Sequence, residues 1–142
     1  MRGAAAAEPR SVGQRRMLER FTPGTEAWFA SDSPSSPVSV VFEDDGESGY
    51  FYAHDRERTS ILDAIQIYTA SRFADRNHES TAHIVWSPDG QKAGLFINER
   101  LHAVVDFSTR CAYGRSNFPP PSGEWSAPNR LPWRDDLDAL LR

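Results

Sequence analysis

AHIVWSPDGQKAGLFINERLHAVVDFSTRCAYG, residues 82–114, is the stretch whose pattern decides the fold. Ala82 to Trp86 is rich in β-branched and aromatic side chains. Behind it, Ser87-Pro88-Asp89-Gly90 reads as a turn, because proline presets φ at the second position and glycine suits the fourth. From Lys92 to Ile97, Ala93, Leu95 and Ile97 alternate with their neighbours, as a half-buried strand requires. Asn98-Glu99-Arg100 turns the chain again. Leu101, Ala103, Val105 and Phe107 then fall on one face of a third strand, and Ser108-Thr109-Arg110 leads into Cys111-Ala112-Tyr113. Connections this short force neighbouring strands to run antiparallel, so the segment predicts a four-stranded meander.

Working outward, Val38 to Phe42 places Val38, Val40 and Phe42 on one face, and Glu43-Asp44-Asp45-Gly46 turns it into Gly49 to Ala53 as a hairpin. Between hairpin and meander, Ser60 with Asp63 three residues later fits a helix-capping pattern. Ile61, Ile65 and Tyr68 recur at i, i+4 and i+7, with Leu62 and Ala64 widening the stripe, so the spacing predicts a helix from Ser60 to Ala70. Toward the start, Val12, Leu18 and Phe21 suggest a short helix stopped by Pro23-Gly24, and Thr25 to Phe29 a flap or edge. Past Gly114, the three prolines of Asn117 to Gly123 cannot donate to a ladder and should leave the sheet in extended form. Trp125 and Trp133 would pin this tail, and Asp135 or Asp136 would cap a last short helix carrying Leu137, Leu140 and Leu141.

These elements predict an α+β domain over residues 17–142. It has one antiparallel sheet of five or six strands, strongly bent or partly barrel-like, with one main helix packed on it. Residues 1–16 form a tail, the first ten adding nothing to the core. A short helix before bent strands is also similar in shape to Sm-like small barrels, although a helix after the second strand departs from that pattern.

The chain has 142 residues with 39% hydrophobic and 25% charged side chains, enough for one domain with its own core. No apolar run approaches the length of a membrane span. The net charge is −4, and residues 1–16 set four arginines against Glu8, so residues 17–142 carry −7. A body of that sign repels phosphate backbones, which argues against nucleic acid or an anionic membrane as partner. Lys92 is the single lysine among sixteen basic residues, a skew that coding bias explains. Cys111 stands alone, so there is neither an internal disulfide nor a cysteine zinc site, and reducing cytoplasm is the expected compartment.

No motif specifies a catalytic centre, a metal or a cofactor. Glu43-Asp44-Asp45-Gly46-Glu47 lacks the alternating ligands and distant glutamate of a calcium loop and reads as a solvated hairpin tip. His54, His78, His83 and His102 show no metal spacing, and Cys111 has no flanking signature of a nucleophile. His102 and Asp106 share a strand face, and Tyr50 and Tyr52 share another. Phe118 and Trp125 crowd the proline-rich tail. These six residues, Tyr50, Tyr52, His102, Asp106, Phe118 and Trp125, are the candidate binding set, since aromatic faces with polar tips suit recognition.

The succession Gly49-Tyr50-Phe51-Tyr52-Ala53, Asp63-Ala64 through Ile67-Tyr68, Ile84-Val85-Trp86-Ser87 with Asp89-Gly90, and Asn117-Phe118-Pro119-Pro120-Pro121 resembles a small proteobacterial domain-of-unknown-function family. The resemblance covers residues 17 to 134 and implies a cytoplasmic bacterial protein with no assigned catalytic residues. The expected function is a non-catalytic module that binds another protein, in one version an immunity-type protein, with a homodimer through sheet edges as a further expectation. The alternative is a small-ligand binder or enzyme using a His/Asp/Tyr sheet face.

Overall fold

The structure, a computed structural model, describes residues 16–116, 118, 125 and 130–142. The expectations for the first ten residues and for most of the proline run lie outside the described residues. The described chain is nearly all β. Its strands are β1 (Arg16–Phe21), β2 (Ala27–Asp32), β3 (Val38–Asp44), β4 (Ser48–Asp55), β5 (Ser60–Thr69), β6 (Ser80–Trp86), β7 (Lys92–Ile97), β8 (Arg100–Asp106), β9 (Cys111–Gly114) and β10 (Arg130–Leu131). Two short 3₁₀ segments, Ala70–Arg72 and Leu137–Leu141, complete it.

The strands form two sheets. One has six strands in the order β10-β9-β8-β7-β6-β1, and the other is the four-stranded meander β2-β3-β4-β5. All pairs are antiparallel except β9 with β10. The expected meander of residues 82–114 is therefore β6 to β9, and the hairpin is β3 and β4. The β7–β8 turn is a tight one in which Asn98 and Glu99 both take positive φ, 50° and 70°, matching the twist of the strands it joins.

Three expectations are corrected. The fold is not α+β, because no main helix packs on a sheet: residues 60–69 are β5. Nor is there a single bent sheet or a closed, Sm-like barrel, since the strands divide into two separate sheets. Residues 16–21 are β1, paired with β6, rather than a short helix.

The β5 reversal has a specific cause. Leu62 and Ile67 have no partner in β4, where the register shifts twice. Each bulge adds a residue and resets the alternation, so Leu62, Ile65 and Tyr68 all reach the core at a spacing of three. Two bulges thus imitate helical periodicity in a strand whose Ile, Tyr and Thr content favours β structure.

The main core lies between the sheets, with Val40, Phe42, Phe51 and Ile65 from one meeting Ile84, Trp86, Leu95 and Val105 from the other. A second cluster sits on the outer side of the six-stranded sheet, where Leu137 and Leu141 cover Val85, Leu101, Val104 and Tyr113. The β2–β3 loop docks on the β6–β7 turn: Ser33 Oγ donates to Gly90 O at 2.7 Å and Ser35 Oγ to Asp89 O at 2.7 Å. Gly90 holds φ at +72°, a conformation that favours glycine.

The free edge of β5 is closed by the chain's own later residues. Trp125 N donates to Leu62 O at 2.6 Å, Arg130 Nη2 to Ala64 O at 3.3 Å, and Ser116 Oγ to Gln66 O at 2.7 Å. The carbonyls of Leu62, Ala64 and Gln66 in the middle of that edge are thereby satisfied, which blunts it against foreign strands.

Candidate functional site

The outer face of the four-stranded sheet collects the exposed Trp28 and Ile61 and the half-buried Tyr50 and Tyr52. Strand alternation sends Phe29, Phe42 and Phe51 inward and puts Trp28, Glu43, Tyr50 and Gln66 in one cross-strand row, with Ala30, Val41, Tyr52 and Ala64 in the next. Trp28 is 63% exposed and Ile61, beside His54, 49% exposed. The Tyr50 and Tyr52 rings stack at 5.9 Å with 24° between their planes. Tyr52 Oη donates to Glu43 Oε1 at 2.8 Å. Burial and that carboxylate push the Tyr52 phenol well above its ordinary value, so it serves as a neutral, committed donor rather than a base.

The other candidates lie elsewhere. His102 is the bulged residue of β8, since Phe96 pairs with Leu101 and Leu95 with Ala103. Its ring meets Phe73 edge-on at 6.0 Å. Burial, reinforced by Arg115 and Arg100, lowers its pKa to about 4, with Asp75 opposing. Phe73 stacks on Tyr68 at 4.3 Å and, with Phe118, Arg72 and Ile67, lines an open cleft of about 530 Å³. Asp106, at the end of β8, accepts from Ser108 N, Ser108 Oγ and Thr109 N and so folds the β8–β9 turn. Trp125 is 2% exposed and packs against Phe107 at 5.4 Å in the core.

The structure thus brings Tyr50 and Tyr52 together and sets Phe118 near Phe73, the neighbour of His102. The tyrosines and His102 lie on different sheets. Trp28, read as part of a flap or edge, and Ile61, read into a helix stripe, are not in the candidate set, although the Val38 hairpin pattern, extended one strand upstream, puts Trp28 on this face. Among the described residues, no three His, Cys, Asp or Glu side chains group as metal ligands, and no helix is long and apolar enough to cross a membrane.

A family model described as an uncharacterized protein conserved in bacteria, DUF2251, matches residues 21–142. The chain belongs to this family. Within DUF2251, all ten strands except most of β1 fall in the matched region. An uncharacterized protein of Haemophilus influenzae is 36% identical over 85 residues, 58% of this chain and 53% of that protein. The chain therefore spans about half the length of the curated relative it matches. The family resemblance read from the sequence agrees with both findings. No solved structure matches the chain.

Proposed function

We propose that this protein is a non-catalytic module that binds another protein through the outer face of its four-stranded sheet. The observation that carries the reading is an asymmetry. Leu137 and Leu141 cover the outer side of the six-stranded sheet around Val85, Leu101 and Val104 and, of the described large apolar side chains there, leave only Leu18, on β1, exposed. The opposite outer side presents Trp28 and Ile61 to solvent beside the half-buried Tyr50 and Tyr52. Aromatic anchors within a polar rim are how protein interfaces concentrate their binding free energy. The single cysteine, Cys111, is free, which supports a reducing, cytoplasmic setting.

The test is affinity capture from native lysate with the full chain and with a Tyr50→Ser/Tyr52→Ser variant, each checked by melting temperature. A partner captured stoichiometrically by the first and lost by the folded variant is the expected result. Equal capture by both would move recognition off this face. A second reading, a small ligand in the Phe73–Phe118 cleft, is favoured by that cleft's aromatic walls beside the Arg72 guanidinium. It would appear instead as a melting-temperature rise with a small-molecule library.

A further inference from the structure

We propose that two copies of the chain join edge to edge through β2, antiparallel about a two-fold axis at Ala30, turning the four-stranded sheet into one of eight. Ser33 N donates to Val38 O at 2.9 Å, which fixes the hydrogen-bonding phase of β2 against β3. By the alternation of an antiparallel ladder, the odd residues of β2 bond to β3, and Trp28, Ala30 and Asp32 turn their N–H and C=O groups to the outer edge. No strand among the described residues pairs with that edge, while the opposite edge of the same sheet is capped by Ser116, Trp125 and Arg130. Among the described residues, one edge is closed and the other is left as a template.

The chemistry along β2 selects a second copy and a register. With Ala30 facing itself, all three outward residues pair, Trp28 with Asp32 of the other copy and the reverse. Asp32 is accompanied by Arg56, whose Nε lies 3.6 Å from Asp32 Oδ1. The two-fold operation therefore places the 63% exposed Trp28 indole on the same face and opposite Asp32 with its Arg56 partner, and an indole face attracts a guanidinium. Sliding the strands to set Asp32 opposite itself loses a pair and opposes like charges, and sliding the other way loses the indole–guanidinium match. The contact is isologous, as a closed dimer requires. The pairing goes beyond the partner-binding reading and does not rest on it.

Sedimentation of the full chain between about 1 and 300 µM reads the association, since an edge contact this small is expected to be weak. The expected result is a mass rising from 15.9 kDa toward twice that value. Ala30→Pro removes only an outward N–H, which an edge strand tolerates, and should hold the chain monomeric. Ala30→Lys and Ala30→Glu should each be monomeric alone, because the residue faces its own copy, and should pair when mixed. A monomer throughout, or a wild-type dimer that none of the three variants disturbs, overturns the proposal. Because Ala30 shares the row of Tyr52, the two readings are separated by the Tyr50→Ser/Tyr52→Ser variant, which leaves β2 intact and should still pair.

Discussion

At the bulge in β8, the His102 ring lies against Phe73 with Arg115 and Arg100 as its charged neighbours. Its folded pKa of about 4 stands below the ordinary 6.5. Between those values the unfolded chain binds the proton that the folded chain refuses, so this residue's contribution is complete above pH 6.5 and is lost as pH falls toward 4. The loss is at most about 3 kcal/mol. Urea midpoints measured from pH 4 to 7 should therefore slope less in His102→Gln than in the wild type; parallel profiles would show that the imidazole titrates normally. None of this is readable from the alternation of Leu101, Ala103 and Val105, which places all three on one face. The bulge sends Leu101 to the outer cluster while Ala103 and Val105 stay in the core. A single inserted residue is invisible to a period-two pattern. The same holds for Asp44, a buried carboxylate that accepts from Tyr68 Oη at 2.6 Å, Gly24 N at 2.8 Å and Gly46 N at 2.8 Å. In sequence it is one of several acids in a turn.

Among the elements, β5 is the one whose identity depends on what lies beside it. Its N-terminal half carries Asp63, 1% exposed, whose Oδ1 accepts from Ala64 N at 2.8 Å and from Arg130 Nη2 at 2.8 Å. Burial holds the Asp63 carboxyl above its ordinary value while Arg130 pulls the other way. The pair ties residue 130 to a strand 67 positions away, and with Trp125 it keeps the edge of β5 covered. Removing one partner strands the other without its counter-charge. Arg130→Met is expected to cost about 3 kcal/mol or more, whereas Asp63→Leu/Arg130→Met together should recover most of that loss. Denaturant unfolding of the two variants decides it, and equal losses would mean that the attachment itself, rather than the unpaired carboxylate, sets the cost. The hairpin and the meander were legible because short turns and unbroken alternation carry their own instructions. β5 was not, because two bulges against β4 break its period-two alternation and its edge partners, Ser116, Trp125 and Arg130, come from far later in the sequence.

At the scale of the whole molecule, the two outer faces differ in what covers them. Residues 137–141 cover the outer face of the six-stranded sheet around Val85, Leu101 and Val104, with Leu137 fully buried and Leu141 3% exposed, while Leu18 on β1 stays open. Deleting residues 137–142 should lower stability by about 3–6 kcal/mol, the worth of burying two leucines, and uncover Val85, Leu101 and Val104 to a hydrophobic dye. An unchanged melting temperature and no dye binding would show that the segment is dispensable. The other outer face has no such cover among the described residues and carries the proposal for a partner protein, while the adjoining β2 edge carries the proposal for a second copy. What the sequence determined by itself was local: turn positions, the strands between them, an acidic body, a lone cysteine and a set of aromatic side chains in alternating register. The division into two sheets, the strand in place of a helix, the burial of Trp125 and the separation of His102 from the tyrosines were decided only in the tertiary structure. Which face of a strand meets the core, and which edge is left open, depends on residues that periodicity cannot place side by side.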